Sequence, residues 1–176
     1  MRQLPVFIDF EASSIGSGSY PIEVARNLPN GSIEAHLISL AGIDRWTDWS
    51  AEAERIHGIS RSELIEKGES PAWVCRRMND QLAGRIVYSD NPDYDSAWLS
   101  ELFMKSYAGD PSFSLHHVDE PLMDVLRSRI DPEEAAKTVG FAKDEARLLV
   151  HVRHRAAKDV EYLMAVYELV CSDSPA

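Results

Sequence analysis

A tight turn between two strand-like runs constrains the fold of this chain more than any other feature. Residues 21–28 (PIEVARNL) and 33–40 (IEAHLISL) are β-prone, and the turn sequence Pro-Asn-Gly-Ser at 29–32 lies between them. A turn of this composition between two alternating runs predicts a β-hairpin. A third β-prone run, LPVFIDF at residues 4–10, precedes the hairpin. These three segments therefore predict an antiparallel three-stranded meander.

The rest of the chain indicates two further strands among helices. The fourth and fifth strands are predicted at 85–90 (RIVYSD) and 114–118 (SLHHV). Helices are predicted over 50–58, 60–68, 71–82, 95–107 and from Glu120 onward, with breaks near Asp131-Pro132 and Gly140-Phe141 and a final helix from about Arg155 to Val170. This order predicts an α/β fold: a mixed five-stranded sheet, with the meander joined by two parallel strands and flanked by helices.

Composition indicates one globular domain. Of the 176 residues, 44% are hydrophobic and 27% are charged, which is ordinary globular composition and excludes a disordered chain. We expect a single domain over 1–176, with a core at about 4–170 and a short tail at 171–176. The 18 basic and 29 acidic residues give a net charge of −11, which argues against a nucleic-acid partner because binding a polyanion usually needs a basic surface.

Cysteine usage and apolar runs bear on the compartment. Cys75 and Cys171 lie far apart, so the sequence predicts neither a metal-type cysteine site nor a disulfide framework. A reduced, cytoplasmic setting is the expectation. The first residues carry no signal peptide, and no apolar run approaches the roughly 20 residues needed to cross a bilayer, so no membrane association is expected.

Two acids on the first strand form the first candidate chemical feature. Asp9 and Glu11 are two residues apart, and alternate residues of a strand point to the same face. Like charges among apolar neighbours are costly unless a cation neutralises them, and Mg²⁺ prefers such oxygen ligands. The alternative is that Glu11 is only the exposed end of the strand, which the short and common Asp-x-Glu pattern favours when it is taken alone.

Two more acidic segments follow. Asp90, Asp93 and Asp95 crowd a predicted strand-to-helix junction, where helix capping explains one or two acids better than three. His154 and Asp159 lie at the start of the last predicted helix, where ordinary surface charges are the alternative.

Taken together, the segments predict a metal site. In the mixed-sheet fold, Asp9, Glu11, Asp95 and Asp159 can converge at one end of the first strand. Four carboxylates can hold two divalent ions roughly 3.5–4 Å apart, the arrangement used for attack on a phosphodiester. A histidine has an ordinary pKa of about 6.5, so His154 is suited to take a proton from water at neutral pH.

The motifs resemble those of a known superfamily. FIDFEAS, SDNPDYDSAWL and HRAAKD are similar, in that order, to the three motifs of the DEDDh 3′–5′ exonucleases, which have a ribonuclease-H-like fold and include the bacterial polymerase proofreading subunit and ribonuclease T. IHGIS at 56–60, PIEVA at 21–25 and MDVL at 123–126 resemble further family segments. Two positions depart from the pattern: Asp90 stands where the family often has His, and ASSIG replaces a Thr-Thr-Gly type of loop.

The resemblance implies hydrolysis from the 3′ end of single-stranded DNA or RNA to nucleoside 5′-monophosphates. It implies that Asp9, Glu11, Asp95 and Asp159 hold two Mg²⁺ or Mn²⁺ ions and that His154 is the general base. Nucleic-acid contacts are expected from the segment Ala12, Ser13, Ser14 and Ile15 and from His57, Asn91 and Arg155. For His57, capping of the helix end near Gly58 is an equal alternative.

Several questions stay open at the level of sequence. A non-catalytic binding module on the same fold and a proofreading subunit that acts within a polymerase are the alternatives, although the short tail after Val170 favours a stand-alone enzyme. The sequence does not choose DNA over RNA, and a homodimer is one option for the oligomeric state. Basic residues cluster near His154 at Arg147, Arg153, Arg155 and Lys158, which predicts weak, salt-sensitive binding of strand ends. The tryptophans Trp46, Trp49, Trp73 and Trp98 are candidates for base stacking, although helical spacing favours a place in the core for Trp73 and Trp98.

Overall fold

A computed structural model describes residues 4–106, 108–151 and 154–172 of the protein. Its centre is a five-stranded sheet in the order β3-β2-β1-β4-β5. The strands are β1 (Val6–Ala12), β2 (Pro21–Asn27), β3 (Ile33–Leu37), β4 (Ile86–Ser89) and β5 (Ser114–His117). β1, β2 and β3 pair antiparallel, whereas β4 pairs parallel with both β1 and β5. The predicted meander and the two parallel strands are therefore confirmed.

The hairpin between β2 and β3 closes as its turn sequence predicts. The Leu28 amide donates to the Ser32 carbonyl at 2.7 Å, and the Gly31 amide donates to the Leu28 carbonyl at 2.8 Å. Gly31 has φ = 83°, a conformation that residues with a side chain rarely adopt. The turn fixes the register in which Glu23 of β2 lies between Glu11 of β1 and Leu37 of β3.

Seven helices accompany the sheet within the described residues. They are α1 (Ala51–His57), α2 (Arg61–Lys67), α3 (Pro71–Leu82), α4 (Pro92–Ser106), α5 (Asp119–Leu126), α6 (Pro132–Leu149) and α7 (Ala156–Ser172). Ser50, Ser60 and Ser70 cap α1, α2 and α3, because each hydroxyl accepts the N–H of the residue three positions on. Gly58 ends α1 in the left-handed conformation, whereas Gly68 ends α2 where a side chain would meet the Ser39 backbone.

Two helix boundaries differ from the sequence prediction. α4 begins at Pro92 instead of Asp95, because the Asn91 carbonyl accepts the Asp95 N–H at 3.1 Å and proline is well suited to a first helical position. α6 has no break at Gly140: its buried stripe continues on both sides of that residue, through Val139 and Ala142 to Ala146. Packing of this stripe outweighs the cost of about 1 kcal/mol for one interior glycine.

The two faces of the sheet pack against different helices. On β1, Val6, Ile8 and Phe10 belong to the core shared with α3 and α4, whereas Phe7 belongs to the core shared with α5, α6 and α7. Strand alternation places Asp9 and Glu11 on the same face as Phe7, which is the face that α7 covers. The position of the acids therefore follows from the burial pattern of one strand.

The tryptophans are distributed differently from the prediction. Trp73 was expected in the core, but it is 37% exposed on α3 and meets His36 edge-to-face. Trp46, a predicted stacking residue, is 3% exposed and stacks on Tyr20 at 5.0 Å. Helical spacing does not predict which tryptophan is buried, because a loop residue such as Trp46 can also lie in the core.

Among the helices of the described residues, none has the length and apolar character that crossing a membrane requires.

Candidate active site

β1 and α7 bring three of the predicted acids together. Asp9, Glu11 and Asp159 each place a carboxylate oxygen within 4.8 Å of the others. All three side chains are half-buried. Asp159 lies in the first turn of α7, so the docking of that helix on the sheet determines where its carboxylate stands.

The junction of β4 and α4 supplies a second group of acids. Asp9, Asp90 and Asp95 also lie with oxygens within 4.8 Å of one another. Asp95 is 2% exposed and accepts a hydrogen bond from the Ser89 hydroxyl, whose oxygen accepts the Asn91 N–H at 3.0 Å. Asp90 was not among the predicted ligands, although its place directly after a central strand was a signal for it.

Asp9 belongs to both groups, so its carboxylate stands between two sets of oxygen ligands. The donor set consists of carboxylates only, which suits a hard cation such as Mg²⁺ or Mn²⁺ better than a thiophilic metal. Two groups that share one carboxylate fit a pair of neighbouring ions. The residues present therefore fit divalent-metal binding.

Burial and mutual repulsion raise the pKa values of these carboxyl groups. Burial is the main cause in each case. It raises the pKa of Asp9 well above its ordinary value, with further contributions from Asp95 and Asp159. The pKa rises to about 8 for Glu11, about 7 for Asp95 and about 6 for Asp159. Without a cation, the cluster holds protons near neutral pH, and a bound cation would displace them.

His154 faces the same cleft from the segment before α7. It is exposed, and its φ of 49° turns the chain directly ahead of the helix. Its proximity opposes the rise in the pKa of Asp159. The cleft has a volume of about 430 Å³, and its lining comprises Asp9, Phe10, Glu11, Asp90, Asn91, Asp95, Trp98, Arg147, His154, Asp159 and Tyr162. All five predicted catalytic residues and Asn91 therefore line one cleft.

Most of the segment after β1, which was expected to contact nucleic acid, is buried and not available for such contacts. Ala12, Ser13 and Ser14 are buried. The Ser13 hydroxyl oxygen accepts the Tyr20 N–H at 3.1 Å, and the Ser14 hydroxyl donates to Asp48. Ile15, in contrast, is 82% exposed. Ile15 lines a second hollow of about 350 Å³, which includes Tyr94 and Trp98 and shares Trp98 with the acidic cleft.

His57 is 4% exposed at the end of α1. Its Nδ1 accepts the Ile59 N–H at 3.0 Å, which supports the helix-end alternative. Its Nε2 has no hydrogen-bond partner among the described residues. Burial lowers the pKa of His57, so the ring is neutral at neutral pH and Nε2 carries the hydrogen. A structural role therefore accounts for one ring nitrogen only.

The predicted basic rim is held largely by acidic partners. Arg155 forms a two-point ion pair with the buried Glu23, Arg147 pairs with Asp144 at 2.6 Å and Lys158 pairs with Glu161 at 2.5 Å. Arg153 lies outside the described residues. Glu23 was not predicted as a site residue, since nothing in its local sequence shows that its partner lies more than a hundred positions away.

The strand order and the crossover of the sheet define a ribonuclease-H-like α/β fold. Among solved structures, the chain is similar to Escherichia coli exonuclease I in complex with a dA16 oligonucleotide, with 17% identity and a TM-score of 0.66, covering 99% of this chain and 42% of that one. Exonuclease I from Methylocaldum szegediense is 20% identical, with a TM-score of 0.67, and the match covers 97% of this chain and 40% of that one.

Both neighbours are named as exonuclease I. At this identity the likeness establishes a shared fold. The chain spans about two fifths of the length of the solved structures it matches. No family model matches the sequence, and no curated protein does.

Proposed function

We propose that the protein is a metal-dependent 3′–5′ exonuclease that releases nucleoside 5′-monophosphates from single-stranded DNA or RNA. The observation that carries this proposal is a pair of acidic clusters, each of three carboxylates. The two clusters share Asp9 and lie in a cleft with His154. A cluster of acids with raised pKa values is unfavourable by itself, and divalent cations would relieve its cost.

The residues have separate roles in the proposed reaction. Asp9, Glu11 and Asp159 would hold one ion, and Asp9, Asp90 and Asp95 the other. The ions would supply Lewis-acid stabilisation of the phosphate oxygens. His154 accepts a proton from the attacking water, the water oxygen bonds to phosphorus, and the bond from phosphorus to the 3′-oxygen breaks. The departing 3′-oxygen takes its proton from solvent.

The surface around the cleft supports the proposal of a single-stranded substrate. The hollow beside it offers Tyr94 and Trp98 as aromatic surfaces and the exposed Ile15 as an apolar one, all suited to packing against bases. The solved neighbours include complexes of E. coli exonuclease I with dA16 and dT13 oligonucleotides. The net charge of −11 and the paired basic rim favour weak binding of strand ends over coating of long duplex. A cytoplasmic location and homodimerisation remain predictions.

The test is a nuclease assay on 5′-labelled DNA and RNA oligonucleotides, with free or blocked 3′ ends, in Mg²⁺, Mn²⁺ or EDTA. We expect stepwise shortening of free 3′ ends with either metal and none in EDTA. His154→Ala and Asp9→Asn should reduce the rate at least a hundredfold with circular dichroism unchanged. His151→Ala and Asp124→Asn, which alter exposed residues outside the cleft, are the matched controls.

Unaltered rates in His154→Ala or Asp9→Asn would overturn the proposal. The binding-module alternative predicts oligonucleotide binding without any shortening, so the same assay separates the two functions. The complete set of acids and the histidine in one cleft favours the enzyme.

A further inference from the structure

The residue that precedes α7 cannot cap this helix with its own side chain. Asp159 N–H donates to the Arg155 carbonyl at 3.1 Å, so Arg155 occupies the position immediately before the helix. Helices usually have Ser, Thr, Asp or Asn at this position, because their side chains accept a free N–H of the first turn. Arginine has no acceptor on its side chain. The first amides of α7 therefore need an acceptor from elsewhere in the fold.

Glu23 of β2 supplies that acceptor. Its Oε2 accepts the Ala156 N–H at 3.0 Å and the Arg155 Nε–H at 3.0 Å, and its Oε1 accepts from Arg155 Nη2 at 2.5 Å. The side chain of Glu23 is 4% exposed, whereas that of Arg155 is 41% exposed. A buried carboxylate at a helix N-terminus is stabilised both by the free amides and by the helix dipole. One side chain therefore ties the central strands to the start of α7.

The same contact adjoins residues that line the acidic cleft. Glu23 lies opposite Glu11 in the β1–β2 register; it contributes to the rise in the pKa of Glu11, and Arg155 opposes that rise. His154 directly precedes Arg155, and Asp159 follows one turn later. Movement of the Arg155–Ala156 segment would displace the proposed base and a proposed ligand together.

We propose that Glu23 is a positioning residue of the active site: through Arg155 and the Ala156 amide it sets where His154 and Asp159 stand relative to Asp9 and Glu11. This inference rests on the proposed exonuclease function. A small displacement of positioned groups is costly for catalysis even when the substrate still binds. Loss of the contact should therefore lower kcat much more than it raises KM.

The matched control is a second glutamate of the sheet, Glu34, which pairs with an arginine of β2. Glu34 of β3 accepts from Arg26 at 2.8 Å and from Arg77 at 2.8 Å, and neither it nor these partners line the cleft. Glu34→Gln removes a comparable ion pair from the same sheet. It therefore measures the effect of a purely structural loss.

The experiment compares Glu23→Gln, Arg155→Met, Arg155→Lys and Glu34→Gln in the 176-residue chain. We expect Glu23→Gln and Arg155→Met to reduce kcat at least tenfold with KM within threefold of the original value. Arg155→Lys should recover part of the loss because a cation still faces Glu23. Glu34→Gln should change kcat by less than twofold. Amide hydrogen exchange in the first turn of α7 should accelerate in Glu23→Gln and Arg155→Met, but not in Glu34→Gln.

The outcomes separate this inference from the proposed function. If the unaltered protein degrades oligonucleotides and both Glu23→Gln and Arg155→Met retain its kcat, the positioning role is wrong. If the unaltered protein has no nuclease activity, the proposed function fails. The exchange measurement still tests the contact itself, and equal exchange in all variants refutes it. Arg155→Met, in which Glu23 stays in place, provides the kinetic test if Glu23→Gln does not fold.

Discussion

Asp9 is the residue on which both halves of the acidic cluster depend. Its oxygens lie within 4.8 Å of those of Glu11 and Asp159 on one side and of Asp90 and Asp95 on the other. It therefore meets the repulsion of four other carboxylates when no cation is bound, in addition to its own desolvation. The proposed metal-binding role of this carboxylate and its cost to folding therefore have the same origin.

Asp9→Asn should stabilise the metal-free protein and abolish its response to metal. Replacing the carboxylate by a neutral amide removes the repulsion, which we expect to raise the free energy of unfolding by about 1 kcal/mol and Tm by about 2–4 °C in EDTA. Thermal unfolding by circular dichroism, with EDTA or with excess Mg²⁺ or Mn²⁺, measures both effects. Asp124→Asn, at an exposed position of α5, should leave both unchanged, and a lower Tm for Asp9→Asn in EDTA would contradict the argument.

Single residues differ in how much of their role the sequence reveals. Asp9 and Glu11 were predictable because the strand period is two, so both acids had to share a face. Asp90 was attributed to the helix junction because its contact with Asp9 depends on how β1 and β4 pair. Glu23 could not be predicted as a site residue, because its proposed role depends on a contact with the distant Arg155, which no local sequence pattern indicates.

At the scale of elements, periodicity predicted what a segment becomes, and tertiary contacts decided where it ends. The mixed five-stranded sheet, a meander with two parallel strands, followed from one turn and five β-prone runs, and the structure confirms it. The predicted break in α6 at Gly140 was wrong because the helix buries a stripe on both sides of that residue. The start of α4 was misplaced by three residues because Pro92 can begin a helix as well as precede one.

Gly140→Ala should stabilise the protein by about 1 kcal/mol, since alanine is the better helix former by about that amount. Gly140 lies inside α6, and a Cβ there would meet no heavy atom within 4 Å. Urea unfolding followed by fluorescence measures the change. Gly31→Ala is the matched comparison, because the φ of 83° at that turn should make the same substitution destabilising. A neutral or destabilising effect of Gly140→Ala would indicate that α6 is interrupted at this position.

For the molecule as a whole, the acidic cluster should make metal-free stability depend on pH. Carboxyl groups with raised pKa values bind more protons in the folded state than in the unfolded one. Their contribution to folding stability is fully present below the ordinary carboxyl pKa of about 4. It is lost as pH rises through their folded-state pKa values of about 6 to 8. Tm in EDTA should therefore fall between pH 5.5 and pH 8.5.

Mg²⁺ or Mn²⁺ should raise Tm more at pH 8 than at pH 6, since the ions replace protons in the cluster. Thermal scans across this range with and without metal provide the measurement, and Asp9→Asn should flatten the metal-free slope. Glu34 affects the pH dependence of stability in the opposite sense, because its contacts, led by Arg77, lower its pKa. The stability that Glu34 contributes is lost only when the pH falls below the ordinary carboxyl range. A metal-free Tm that rises from pH 6 to pH 8 would contradict the assignment.

The distance along the chain between the parts of the cleft has a consequence for the order in which the protein is made. Asp9 belongs to the first strand and Asp159 to the last helix, and the contact between Glu23 and Arg155 joins residues 132 positions apart. Contacts of such long range form late, because the intervening chain must be brought together first. A ribosome-bound chain whose α7 is still within the exit tunnel would therefore carry an incomplete cleft, so any nuclease activity would arise only when synthesis has passed this helix.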